Sequence, residues 1–138
     1  MADTRFTDPL LHPPVKGLPL HCPPLRVSEV GHQGWNVLAD DLPFPLALLK
    51  REALAHNIAW MAERSRAWGV ELAPHGKTTL SPQLFARQIE AGAWGISFGN
   101  VFQLAVGVAA GVRRAIIPNQ VMGAADLAAV QMLLRAHA

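Results

Sequence analysis

The segment Ala73-Pro74-His75-Gly76-Lys77-Thr78-Thr79-Leu80-Ser81-Pro82 decides how the chain folds. It follows the extended run Val70-Glu71-Leu72 and leads into a helix start. Ser81 is a good N-cap, and Pro82 suits the first helical position, where its missing N–H is no loss. Lys77 therefore belongs to the turn at the carboxyl end of a strand, where open α/β sheets and (β/α)8 barrels both place their chemistry. A lysine there is a phosphate-binding cation, an amine nucleophile that forms a Schiff base, or a plain surface residue of a βα loop. A phosphate loop is excluded by spacing. Gly76-Lys77-Thr78 matches the tail of G-x-x-x-x-G-K-[ST], but Glu71 stands where the first glycine is needed, and Gly69 is two positions too early.

On the N-terminal side, Glu52 to Trp68 carries Leu54, Ile58, Met61 and Trp68 at spacings of four, three and seven, one helical face that Gly69 terminates. Before it, Pro45-Leu46-Ala47-Leu48-Leu49 is a short apolar run suited to a buried parallel strand. On the C-terminal side, Pro82 to Ala91 forms a second helix ended by Gly92, with Leu84, Phe85, Gln88 and Ile89 inward or flanking. Trp94, Ile96 and Phe98 then alternate with Gly95, Ser97 and Gly99, the period of a strand. Val101 to Ala110 is a third helix, stopped by Gly111, and Arg114-Ala115-Ile116-Ile117-Pro118 is a fourth strand leading into Asn119-Gln120. Ala124 to Ala136 is a fourth helix, favoured by Asp126 in its first turn.

This succession makes the chain an α/β protein of βα units, and right-handed crossovers make its sheet parallel. Four such units are half of a (β/α)8 barrel, which needs roughly 250 residues; an open sheet of four parallel strands is the other arrangement. The chain stops directly after the fourth helix, at Arg135-Ala136-His137-Ala138, so the expectation is a truncated barrel over residues 43–138. Residues 1–42 are different in kind. Together with Pro43 and Pro45 they hold eight of the eleven prolines, which forbid helix over most of the stretch. They are read as an extended arm with Val27, Val30, Trp35, Val37 and Leu38 as apolar anchors; Trp35, in the turn Gly34-Trp35-Asn36, is a packing residue.

Composition narrows the function classes. The chain has 138 residues, enough for one small domain with a core, with 51% hydrophobic and 16% charged residues. Net charge is +2 and basic residues cluster only as the pairs Lys50-Arg51 and Arg113-Arg114, so no nucleic-acid partner is expected. No run of 18 apolar residues exists, so no membrane span is expected. The start, Met1 to Asp8, has acids and no apolar stretch of a secretory signal. Cys22 is the lone cysteine, which fits a reducing cytoplasm. His12, His21, His32, His56 and His137 form no metal-binding spacing, so no metal site is expected within this chain.

Pro74-His75-Gly76-Lys77-Thr78, then Ser81-Pro82-x-Leu84 and Ala91-Gly92-Ala93-Trp94-Gly95, resembles the D-threonine aldolase and D-serine dehydratase group. These are fold-type III pyridoxal-phosphate enzymes related to the alanine racemase barrel. Ala53-Leu54-x-x-Asn57-Ile58 and Pro118-Asn119-Gln120-Val121 are similar to that group too. Gly34-Trp35-Asn36-Val37-Leu38, leading to Leu42-Pro43-Phe44-Pro45, resembles its bacterial amino-acid deaminase (D-serine deaminase) branch. The likeness runs from about residue 16 to the C-terminus, and the lysine motif is its specific part.

The resemblance implies that Lys77 holds pyridoxal 5'-phosphate and acts in catalysis. It also implies a small-molecule D-amino acid as substrate and allows a homodimer for the full-length enzyme. The chemistry supports the residue choice. A lysine with an ordinary pKa of about 10.4 must lose its proton to attack, which partial burial at a strand end assists, and Gly76 would let the backbone approach a cofactor ring. His75 and Lys77 share a face if the strand persists, which favours His75 over Thr78 for a cofactor contact, with both kept as candidates. Asn119 and Gln120 lie at the same end; Asn100 there is read as a helix cap. A divalent metal, where family members carry one, would be held by residues beyond this chain. The implied reaction is deamination of a D-β-hydroxy amino acid such as D-serine or D-threonine, by β-elimination, to a 2-keto acid and ammonia. Aldolase cleavage, a non-catalytic cofactor carrier and an inactive fragment are the alternatives.

Overall fold

A computed structural model of the chain describes residues 8–137. The reading of the extreme N-terminus over residues 1–7, and that of Ala138, lie outside the described residues.

The proline-rich segment is folded back on itself rather than extended. Strand β1 (Leu10–Leu11) pairs antiparallel with β2 (Leu25–Arg26), in the register Leu10 with Arg26. A one-turn helix α1 (Val27–Val30) follows. The Asp8 carboxylate accepts from the Ser28 N–H (2.8 Å) and Oγ (3.1 Å), which ties the two ends of this loop together. Leu18, Cys22 and Leu25 are buried inside it, with Leu11, Val15, Val30 and Trp35 packed around them. Prolines bar helix but not closure of a turn-rich loop, and a chain this apolar gains by closing over its own side chains. Trp35 thus packs, whereas Leu38, expected as an anchor, is 93% exposed on a 3-10 turn (Val37–Ala39).

The expected first strand is absent. Residues 45–49 belong to no strand, and Leu48 and Leu49 are exposed. An apolar run becomes a strand only where neighbours supply hydrogen bonds and cover. Helix α2 (Arg51–Trp68) begins next and ends at Gly69, which adopts the left-handed conformation at φ 66°. Its inward line is Leu54, Ile58, Ala62 and Ser65. The expected line through Met61 and Trp68 is wrong because Trp68 turns outward: the Arg64 guanidinium lies over the rings of both Trp60 (5.1 Å) and Trp68 (5.4 Å), a stacking that keeps two aromatics at the surface.

Helix α3 (Pro82–Glu90), strand β3 (Ile96–Ser97), helix α4 (Val101–Ala109), strand β4 (Ala115–Ile116) and helix α5 (Ala124–His137) complete the order. β3 and β4 are parallel, with Ile96 opposite Ala115 and Ser97 opposite Ile116. On the other side of β3 runs the segment from Leu72 to Gly76. Trp94 donates to the Leu72 carbonyl (2.8 Å), Ser97 to that of Pro74 (2.8 Å), and the Gly76 N–H donates to Ser97 (2.7 Å). Pro74 has no N–H to give, so this ladder is interrupted and registers only the bridge between His75 and Ser97. Three parallel segments with intervening helices are therefore what the described residues contain of the expected four.

The core lies under β3. Phe85 from α3 meets Phe98 edge to face, with centroids 5.5 Å apart and planes at 81°; Ile96 and Val112 complete the buried cluster, flanked by Leu80, Leu104, Ala110 and Ala115. No helix among the described residues is long and apolar enough to cross a membrane.

Candidate active site

At the carboxyl ends of the three parallel segments, the chain turns outward at Gly76, at Gly99-Asn100 and at Pro118-Asn119. After Gly76 the strand stops, because the Leu80 N–H donates to the Gly76 carbonyl (2.9 Å) and closes Lys77-Thr78-Thr79 into a turn. The face-sharing expected of His75 and Lys77 therefore ends at Gly76. Gly76 is buried, and a Cβ there would stand 2.8 Å from both Ile96 Cγ2 and Phe85 Cε1. Its missing side chain thus serves the core, which presses the turn from below, and not the approach of a ligand. Leu80 closes the turn with φ 44°, a conformation that L-residues other than Asn and Asp rarely adopt. It is held there by its packing on the core cluster on one side and by the start of α3 on the other. Strain of this kind persists only where the surroundings over-determine it.

Lys77 is exposed, in contrast to the partial burial expected: the strand end flanks it on one side only. Its stem crosses Gly99 at the end of β3, so closely that a Cβ on Gly99 would stand 3.2 Å from Lys77 Cδ. Neighbouring β3 also holds the imidazole: His75 Nδ1 and Ser97 Oγ are 3.0 Å apart. The backbone of Gly99 is gripped on both sides. Its N–H donates to Gln103 Oε1 (2.8 Å), and its carbonyl accepts from Asn119 Nδ2 (2.9 Å). Asn100 caps α4, its side chain accepting from the Gln103 N–H (2.9 Å). Thr78 lies exposed in the turn and Gln120 is exposed beyond β4.

The structure thus gathers Lys77, His75 and Asn119 around the end of β3, and leaves Asn100 to its helix. Ser97, Gly99 and Gln103 join the group, and residue spacing did not single them out. A signal existed for two of them: the small residues Ser97 and Gly99 fall on the alternate positions of a strand whose other positions are Ile96 and Phe98. Among the described residues, no group of three or more His, Cys, Asp or Glu side chains is placed to hold a metal ion. An exposed primary amine whose stem lies over a glycine at a strand end can bond a carbonyl compound.

No family model matches the chain, and no curated protein matches it in sequence. Solved structures do. The D-threonine aldolase of Filomicrobium marinum is 32% identical, superposes with a TM-score of 0.66 and matches over 67% of this chain and 25% of its own. The D-threo-3-hydroxyaspartate dehydratase of a Delftia species is 33% identical, with a TM-score of 0.64 over 69% of this chain and 25% of its own. A mutant of that dehydratase in a metal-free form matches to the same extent. The chain spans about a quarter of the length of these enzymes.

Proposed function

The chain is a relative of the D-threonine aldolase and D-threo-3-hydroxyaspartate dehydratase group of fold-type III pyridoxal-phosphate enzymes, and from that kinship we propose that it carries the cofactor lysine of a lyase acting on D-amino acids. The finer reading is deamination of a D-β-hydroxy amino acid, such as D-serine or D-threonine, to a 2-keto acid and ammonia by β-elimination. The βα succession is then the N-terminal part of an alanine racemase-like (β/α)8 barrel, with the chemistry at the carboxyl ends of its strands.

The observation that carries the proposal is Lys77 at a strand end, exposed and lying over Gly99. The residues present fit pyridoxal 5'-phosphate, because an accessible amine rests on a floor that a Cβ would fill. When bound, the cofactor supplies an electron sink for charge left at the substrate's α-carbon. Lys77 would hold it through Nζ, and that same nitrogen, once free, is placed to accept or return a proton. His75 is fixed by Ser97 Oγ and offers a second proton-carrying ring at the same mouth. Thr78 lies in the turn beside Lys77, within the chain's own reach of a bound group. Hydroxide is a poor leaving group, so a general acid or a divalent metal must assist its departure; the metal's ligands would be residues outside this chain. The deaminating branch is favoured by the Trp35 segment, and a dehydratase stands among the neighbours beside an aldolase.

The test begins with the cofactor. Borohydride reduction of the protein with pyridoxal 5'-phosphate should leave a pyridoxyl mass on the peptide containing Lys77, and Lys77→Ala should abolish it. The enzyme that contains this chain should convert D-threonine to 2-oxobutanoate and ammonia, and at least 10³-fold more slowly when Lys77 is replaced. Glycine and acetaldehyde as products would reassign it as an aldolase. Wild-type turnover by Lys77→Ala would end the proposal.

A further inference from the structure

Glycine is common at the ends of strands because it tolerates left-handed backbone. Gly99 is not there for that reason: Gly17, Gly34, Gly69, Gly92 and Gly111 have positive φ, and Gly99 does not. Its backbone would accept any residue. What a side chain would meet is Gln103 Oε1 at 3.1 Å and Lys77 Cδ at 3.2 Å. Both are the outer parts of flexible side chains, which can move, unlike the obstacles at Gly95 and Gly107. At Gly95 the obstacle is the Arg114 backbone carbonyl and at Gly107 it is the buried Phe98 ring. A methyl group at Gly99 would therefore be accommodated by displacing the lysine stem and the glutamine, with the fold retained.

The Gly99 backbone is held in place from two sides. Gln103, one turn into α4, accepts the Gly99 N–H at 2.8 Å, and Asn119, just beyond β4, donates to the Gly99 carbonyl at 2.9 Å. Gln103 is itself aligned by its own N–H bonding to the Asn100 cap. The two peptide planes that flank the Gly99 Cα are thus each held by a side chain, one through its donor and the other through its acceptor, beneath the stem of Lys77.

We propose that Gly99 is the seat of Lys77, and that Gln103 and Asn119 are positioning residues which fix the height and tilt of that seat and so the position of the Lys77 amine. The geometry stands on this chain's contacts; its meaning for catalysis rests on the proposed function. In the assembled site, a carbonyl ligand bonded to Lys77 would take its placement from the Gly99 backbone, which Gln103 of α4 and Asn119 beyond β4 hold jointly.

Two readouts test the seat without any cofactor. Amide hydrogen exchange of Gly99, followed by NMR on the full chain, should accelerate about tenfold in Gln103→Ala, where the hydrogen bond is lost. Gln103→Glu, which keeps an acceptor, should restore slow exchange. Competitive acetylation read by mass spectrometry compares Lys77 with Lys16 and Lys50, the other two lysines of the chain. Gly99→Ala and Asn119→Ala should each change Lys77 reactivity at least threefold, leaving the other two unaltered and the melting temperature of Gly99→Ala within a few degrees of wild type. Unchanged Gly99 exchange in Gln103→Ala, or unchanged Lys77 reactivity in both Gly99→Ala and Asn119→Ala, would overturn the proposal. If wild-type protein takes no pyridoxyl label at Lys77, the cofactor assignment fails while these two measurements still decide the seat. With the label present, Gly99→Ala should weaken pyridoxal 5'-phosphate binding at least tenfold, read by its absorption band.

Discussion

Gly107, in the middle of α4, is buried where the ring of Phe98 presses against the helix, and a Cβ there would overlap that ring. Phe98 is fully buried and wedged against Phe85, so it has no room to withdraw. Gly107→Ala should therefore destabilise the chain by about 1–3 kcal/mol, despite alanine's better helix propensity. Gly31, which has open space around it and φ −66°, is the control, and Gly31→Ala should be neutral or slightly stabilising. Urea unfolding of the pair measures both, and equal effects would show that Phe98 is free to yield. At this scale the site was partly legible. Lys77 stood out as a lysine among small residues at a strand end just before a helix start, a place that spacing alone gives equally to a plain surface residue. Gln103 and Ser97 did not, because their partners Gly99 and His75 are defined by how strands pair, which no local spacing reports. The outward turn at Lys77 was hidden for another reason: the Leu80 N–H closes on the Gly76 carbonyl with Leu80 at φ 44°, a conformation that a leucine does not announce.

Helix ends were read more faithfully than strands. Ser81 and Asn100 both cap their helices through the side-chain oxygen, at 3.4 Å to the Leu84 N–H and 2.9 Å to the Gln103 N–H respectively. Asn100→Ala should cost about 1–2 kcal/mol, and Ser81→Ala about 0.5–1 kcal/mol because its bond is long. Thermal unfolding monitored by circular dichroism gives the order, and a larger loss for Ser81→Ala would reverse the ranking. Caps and terminating glycines are local chemistry, so Gly69, Gly92 and Gly111 declared themselves; all three have positive φ. Strand pairing is not local. Residues 45–49 have the composition of a buried strand and yet, Leu46 apart, lie exposed, since composition states what a segment could bury and not whether a partner lies alongside. The proline-rich segment misled in the opposite sense. Without helix or long strand it read as extended, while its scattered apolar residues were enough to close a small cluster.

The described residues present several large apolar side chains to solvent. Leu48, Leu49, Phe102, Met122, Met132 and Leu134 are each more than 60% exposed. A groove of about 630 Å³ also opens between α4, β4 and α5, lined by Leu104, Val108, Val112, Leu127, Val130 and Leu133. Patches of this kind drive association, and the short edge of β4 offers unpaired backbone groups as well. Sedimentation of the 138-residue chain at tens of micromolar should therefore show species heavier than the 14.9 kDa monomer. A monomer with a sharp melting transition would mean that an open sheet is complete as it stands. The two buried clusters add a property of a different kind. One is built around Phe98, the other around Leu18, Cys22 and Leu25, and they share no residue. The only thiol in the chain is sealed inside the second, its Sγ donating to the Pro23 carbonyl. Alkylation of Cys22 should therefore be slow until that N-terminal cluster loosens, and its rate reports on that cluster directly.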